Sequence, residues 1–411
     1  MIETGTPQYK KITRSLAIGS FIIFCNLYLF QPLLPHMSAH FQVSETQINW
    51  LFAASTLGLS ISLVPWAIAS ESFGRKPVIL FGLFSIPLVG LMMFFTTSLL
   101  ELVIARAFMG VAIAAFAGVA VAYMVEELSP KAFSIAIGGY IAANSLGGIV
   151  GRILGGLFTD LFDWRIAVLI FVVFSFIGAL FIYFQLPKQR KFCPQRGLFF
   201  HHNRAVIKHL NNHTIWFAML IGGANFALFV NLYSVMGFRL VADPHAIPVG
   251  LASLIFLCYL AGTISSKLSG RWASSFSPLT GMFVGTCVSL IGMLTSAIDQ
   301  LPFMLLGLLM ISFGAFFTHT LAYSWVSQKA TTAKATATAL YLVHYYIGGS
   351  LGGFVLLYCW QKFEWQGVIA GGLVFFAGIF IGLYQLSKNQ KNQSVKVTHP
   401  LKAKEATNNS F

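Results

Sequence analysis

Apolar residues gather into twelve runs along the chain, near 16–35, 50–69, 77–97, 101–124, 133–158, 165–186, 214–238, 249–269, 278–298, 301–325, 333–359 and 367–387. Each reaches about the 20 residues that a bilayer-spanning helix needs at a rise of about 1.5 Å per residue. The one long polar stretch between runs, 187–213, leaves six on either side. Landmarks recur across that divide: Lys131-Ala132 with Lys334-Ala335 at an offset of 203, the Ser-Leu-Gly-Gly of 145–148 with that of 350–353 at 205, and Phe162-Asp163-Trp164 with Phe363-Glu364-Trp365 at 201. The segment Ala67 to Lys76 likewise has a degenerate copy from Gly270 to Leu279. The pattern predicts an all-α membrane protein with twelve transmembrane helices in two six-helix pseudo-repeated halves and a substrate path between them. The expected division is 1–14 as an N-terminal segment, 15–186 and 214–387 as the two halves, 187–213 as a basic linker and 388–411 as a disordered tail.

Composition agrees with a bilayer: 57% of the residues are hydrophobic and 9% are charged, against about 25% charged in soluble domains. The first run follows Lys10, Lys11 and Arg14 but is too long for a signal-peptide core, so it reads as a retained helix. With the N-terminus inside, the inner segments hold 21 of the 26 Lys and Arg, and seven of the 12 acids fall outside. The positive-inside rule therefore expects cytoplasmic termini in a bacterial-type inner membrane. The net charge of +14 is spread over short loops, linker and tail, which fits anionic lipid headgroups as partner rather than nucleic acid. Cys25, Cys193, Cys258, Cys287 and Cys359 are an odd, scattered set that forms no disulfide framework. The linker histidines His201, His202, His209 and His213 lack the acids or cysteines that would complete a metal site, and a solvated linker, partly helical, explains them. No metal, no cofactor and a monomer are expected.

Several motifs carry more specific information. Gly74, Arg75 and Lys76 close the turn between the second and third runs, with Glu71 a lone anion before them and Pro77 suited to a helix start. This stretch resembles the first loop motif of the major facilitator superfamily, G-x-L-A-D-R-x-G-R-K, with Glu71 in place of the aspartate, Ala67 of the first glycine and Ser72 of the first arginine. The resemblance covers about residues 15 to 387 and implies the major facilitator fold. It further implies that Glu71 latches the two halves on the inside against the start of the eleventh helix, around Thr331 to Lys334; a turn that only sets topology is the other reading. In the fifth run Gly147, Gly148, Gly151, Arg152, Gly155 and Gly156 resemble the family's antiporter signature G-x-x-x-G-P-x-x-G-G, with Arg152 replacing proline. Gly147, Gly151 and Gly155 recur every four residues and offer a stripe for close helix approach, which packing alone also explains. Arg106, Gly110 and Ala114 are similar to the R-x-x-Q-G-x-x-x-A pattern of the fourth helix, with Met109 for glutamine, whose arginine the family associates with proton coupling. Pro32 and Pro35 resemble the P-x-x-P ending of the first helix in twelve-helix drug:proton antiporters of the arabinose-efflux-like branch.

Arg106 and Arg152 are embedded cations, and an arginine at mid-bilayer costs roughly 2.5 to 3.5 kcal/mol on insertion scales. Both are expected to line or abut the path between the halves. For Arg106 a structural pairing, with Glu101 the nearest acid, is the alternative; for Arg152 it is capping by carbonyls, Asp160 or Asp163. Asn144 shares a face with Arg152, roughly 12 Å away at 1.5 Å per residue. Asn26, Tyr28, Gln31, Asn225 and Asn231 are candidate path groups, each also explicable as an interhelical hydrogen bond. His319 and His344 are the embedded histidines. His344, close in sequence to Tyr341, Tyr345 and Tyr346, is the favoured proton site, a buried neutral histidine being the alternative. No carboxylate falls in the middle of any run.

These features point to a secondary active transporter that exports a small organic solute by alternating access, with protons as counter-ion. The alternatives are uptake or export of an anionic metabolite, siderophore-like carboxylates included, and a transporter-shaped solute sensor. An enzyme is disfavoured, because no nucleophile elbow, zinc helix or phosphate loop is present.

Overall fold

The computed structural model describes residues 1–190, 199–331 and 334–408, except for the side chains of 199–203, 205, 334–335 and 391–408. Lys191, Cys193 and Arg196 of the linker, the side chains of His201 and His202, and most of the segment expected to receive Glu71 lie outside the described residues.

The described residues are predominantly helical. In order come α1 (Pro7–Tyr28), α2 (Leu34–Phe41), α3 (Glu45–Ile48), α4 (Trp50–Phe73), α5 (Arg75–Phe94), α6 (Leu99–Glu127), α7 (Pro130–Leu161), α8 (Trp164–Gln185), α9 (Phe199–Leu210), α10 (His213–Val241), α11 (Val249–Ala252), α12 (Tyr259–Ser275), α13 (Pro278–Thr295), α14 (Leu301–Lys329) and α15 (Lys334–Asn408). A 3-10 turn, Ser253–Cys258, joins α11 to α12, and non-helical Phe363 and Glu364 divide α15 into two limbs. Among the described residues, ten helical stretches are long and apolar enough to span a bilayer, and one, Thr336–Gln390, holds both limbs of α15. With α1, whose first turns carry Lys10, Lys11 and Arg14, these make up the twelve spans. Every backbone polar group in hydrocarbon needs an internal partner, and continuous helices supply it.

Local chemistry sets the helix ends. Ser98 and Glu101 form a reciprocal capping box at the start of α6, and Ser129 caps α7 ahead of Pro130. Gly74 takes φ 95° between α4 and α5, a conformation that side-chain-bearing residues rarely adopt. The first run, whose end Pro32 and Pro35 are expected to break, stops as a helix at Tyr28. Pro32 has no N–H to offer the Tyr28 carbonyl, and its ring crowds that carbonyl. At the other end, the backbone of α15 runs on through Asn408.

Within the first half α1 packs on α7, α4 and α5 on α6, and α5 on α8; within the second, α10 packs on α15, α13 on α14 and α12 on α14. Phe81, Phe174, Phe184, Phe283 and Tyr384 are exposed around the bundle, where lipid would meet them. The halves meet where α4 packs on the first limb of α15 and where α7 packs on α11 and the 3-10 turn. Thr56 Oγ1 and Ser350 Oγ are 2.6 Å apart, Thr46 donates to Gln361 at 3.1 Å, and Trp50 lies 4.8 Å from Phe354. The last two contacts lie at the end of the bundle that carries α2 and α3. At that end Gly250 N–H also donates to Asp160 Oδ2, which ties the end of α7 to the start of α11. Toward the opposite, Gly74 end, Gly138 and Gly139 of α7 and Gly270 of α12 have open space beside them.

Candidate functional site

The two embedded arginines have different surroundings. Arg106 is fully buried inside the first half: Nε donates to Leu51 O at 3.0 Å, Nη1 to Asn26 O at 2.9 Å, and Nη2 to Leu27 O at 2.6 Å and Ser55 Oγ at 2.7 Å. The premature end of α1 creates this need, because carbonyls in a last helical turn lack intrahelical donors. Arg106 therefore acts as a cap for α1 and ties it to α4. The expectation that Arg106 abuts the path between the halves is corrected accordingly.

Arg152 lies where the halves meet. Its Nε donates to Gln31 Oε1 at 2.7 Å and its Nη1 to Gly148 O at 2.7 Å. Gln31 in turn donates across the interface to Val230 O at 2.8 Å and Ser234 Oγ at 3.0 Å, both on α10. The guanidinium carbon sits 3.6 Å from the ring centre of Tyr28, 4.7 Å from that of Tyr259 and 4.9 Å from that of Phe256. The cage thus draws one ring from the first half and two from the second. Neither acid considered as a cap reaches it: Asp160 takes Gly250 N–H, and Asp163 takes Arg165 N–H at 2.9 Å. Among the described residues no carboxylate pairs with Arg152. The Tyr259 hydroxyl is buried without a hydrogen-bond partner. Further along the second half, Tyr345 stacks on Phe226 at 4.0 Å and contacts Tyr346 at 5.6 Å. Tyr28, Tyr259 and Tyr346 are near enough to Tyr345 to interact with it electrostatically.

The glycine signature splits between two tasks. A Cβ on Gly147 or Gly151 would come within 2.4 or 2.5 Å of the α1 backbone at Phe21 or Cys25, and one on Gly155 within 2.8 Å of Leu29 O. Gly156 instead faces the second half, where an added Cβ would come within 2.8 Å of Ser253 Cβ. Of the other expected path groups, Asn26 bonds Ser175 Oγ on α8 at 2.9 Å, Asn225 bonds Ala315 O on α14 at 3.0 Å, and Asn231 bonds Gly349 O on α15 at 2.8 Å. These are interhelical ties. Asn144 is half-buried, about two turns from Arg152.

His319, not His344, occupies the tyrosine cluster. Its Nδ1 lies 3.0 Å from the Tyr341 hydroxyl and its ring 4.3 Å from that of Tyr345. His344 Nδ1 donates to its own Leu340 carbonyl at 2.8 Å. Tyr341 and Tyr345, four apart, share a helix face, and at about 100° per residue His344 is turned away from Tyr345. At the Gly74 turn, Arg75 pairs with Glu126 of α6 at 2.8 Å and approaches Glu71 at 3.9 Å, while Lys76 donates to the Tyr183 and Leu186 carbonyls. Sequence reasoning missed Glu126, Phe256 and Tyr259. The last two sit in and beside the 3-10 turn, and only the crossing of α7 by that turn brings them to Arg152. Among the described residues, no group of three or more His, Cys, Asp or Glu is placed to hold a metal.

Residues 16–353 match the Major Facilitator Superfamily. The chain belongs to that superfamily. Among its relatives are the "inner membrane transport protein YnfM" of Escherichia coli, 32% identical over 89% of this chain and 88% of the relative, and the "uncharacterized MFS-type transporter YybF" of Bacillus subtilis, 30% identical over 91% and 92%. The fold is similar to that of a bacterial homolog of the human lysosomal transporter Spinster in an inward-facing, occupied conformation: TM-score 0.75 and 14% identity over 93% of this chain and 98% of that one. This Major Facilitator Superfamily member is accordingly an integral membrane transporter.

Proposed function

We propose that this transporter exports a small organic solute by alternating access, in exchange for protons, with the halves rocking about the Gln31–Arg152 node. The observation that carries this reading is that node: a buried guanidinium of the first half, caged by rings from both halves and tied through Gln31 to α10. A group held by both halves can sense which side is open. In a bacterial-type inner membrane with both termini cytoplasmic, the Gly74 end faces the cytoplasm. The Asp160–Gly250, Thr46–Gln361 and Trp50–Phe354 contacts then close the outer side, which on this reading is the inward-facing state. Export is favoured by the antiporter-like glycines, and Glu71 would latch the inside when the outside opens. Purified protein in liposomes with an internal pH dye, screened for solute-dependent proton flux, tests the proposal. Solute transport with no proton movement refutes antiport, and Glu71→Gln should slow turnover while leaving abundance unchanged. Carriage of an anionic metabolite in either direction is the second reading, favoured by the lack of a carboxylate beside Arg152.

A further inference from the structure

Resting on that transport reading, we infer that Arg152 and Tyr259 form the oxyanion end of the solute site, and that the solute is an organic carboxylate with a flat aromatic body. Arg152 has five N–H donors in a planar fork, and the described bonds engage Nε and Nη1. The Tyr28 hydroxyl also interacts with the guanidinium, and no carboxylate among the described residues pairs with it. The neighbouring Tyr259 hydroxyl is an unused donor, buried with no partner although its ring lies 4.7 Å from the guanidinium carbon. An unpartnered buried hydroxyl beside a guanidinium with no counter-charge calls for an acceptor that carries a negative charge.

The geometry narrows that acceptor. Tyr28, Tyr259 and Phe256 crowd the guanidinium, so a ligand must come in along the edge of the fork. A planar carboxylate suits such an edge. Its own charge balances the arginine, for which no acid is supplied by the described residues. Tyr345, stacked on Phe226 with Tyr346 against it, is near enough to Tyr28 and Tyr259 of the cage to interact with both electrostatically. A flat ring attached to the carboxylate would stack there. A cationic solute would meet the arginine with no carboxylate to receive it. Gln31 orients the fork, taking Nε while holding α10, so it is a positioning residue and not the ligand's partner.

The test uses the full-length protein in phosphatidylcholine nanodiscs, with 4-hydroxybenzoate and indole-3-acetate as probes, 4-hydroxybenzamide and tyramine as controls, and the thermal unfolding midpoint and intrinsic fluorescence as readouts. Saturable shifts by at least one carboxylate, and by neither control, are expected. Tyr259→Phe keeps the ring and should weaken carboxylate binding about tenfold, as for loss of one charge-assisted hydrogen bond. Arg152→Gln should abolish it, and Arg152→Lys should retain part. A wild-type protein that responds to neither carboxylate, or equally to acid and amide, overturns the inference, as does unchanged affinity in folded Tyr259→Phe. A separate arm joins Thr46→Cys to Gln361→Cys by a disulfide in a background lacking the native cysteines. If transport continues with the outer side locked, the alternating-access reading fails while the binding result stands.

Discussion

Replacing Arg106 tests whether an embedded arginine can be wholly structural in this protein. The guanidinium makes four hydrogen bonds, three to carbonyls of α1 and α4 and one to Ser55. In Arg106→Met the side chain fills similar space but removes the donor from the Asn26 and Leu27 carbonyls at the end of α1 and breaks the tie to Leu51 and Ser55 of α4. Interhelical hydrogen bonds within membranes contribute on average about 0.6 kcal/mol each, and bonds to charged groups in water-soluble proteins about 1.5 to 3. Four bonds of intermediate strength give a loss of about 3 kcal/mol, roughly a hundredfold in the folded-to-unfolded ratio. Arg106→Lys, a single ammonium unable to fork toward both α1 and α4, should recover only a minor part. The assay is SDS-induced unfolding of the purified protein, followed by tryptophan fluorescence, for wild type and both variants with and without solute. The expected losses are independent of solute, and folded variant protein should still couple protons. An Arg106→Met protein as stable as wild type but dead in transport would refute the capping role and return Arg106 to the path.

Gly151→Ala should force α1 and α7 apart and cost about 1 to 3 kcal/mol as overpacking, because its Cβ would lie 2.5 Å from Cys25. Gly138→Ala, with open space beside it, should leave the unfolding midpoint unchanged; equal effects from the two would mean the stripe is not a contact seam. Asp160→Asn weakens the charge held at the start of α11, so maleimide labelling from outside of Ser350→Cys, at 0% exposure, should accelerate, and an unchanged rate dismisses the outer latch. Proton coupling by histidine is expected to depend on His319 more than His344. If His319→Ala and His344→Ala both keep full pH-gradient-driven transport, the histidine route is wrong. His36, on α2, is held below the usual histidine range chiefly by burial and next by His40, against the opposing pull of Asp163 and Asp160. The folded state therefore binds fewer protons there than the unfolded chain, so stability should fall as pH drops below about 6.5, and His36→Gln should flatten that slope in pH-dependent unfolding.

The length and spacing of the apolar runs determine twelve helices, and the recurrence of landmarks near an offset of 203 determines two copies. Both properties are local or periodic, and a bilayer permits few other answers to such a chain. The break of the first helix was likewise written in Pro32, although the cut falls at Tyr28, one turn before the proline. The roles of the polar residues inside the bundle were not written there. Arg106 and Arg152 look alike in sequence, both cations within apolar runs beside small residues, yet one caps an interrupted helix and the other sits in a cage at the seam. The difference comes from which helix each faces, and that depends on crossings between segments far apart in the chain. Arg152 meets Phe256 and Tyr259 only because α7 crosses the 3-10 turn beside α12, and His319 meets Tyr341 and Tyr345 only because α14 lies against α15. A hydrophobic run fixes that a helix forms; side-chain packing between helices fixes which way it is rotated, and with it whether a buried charge finds a carbonyl, a ring or an open place for a ligand.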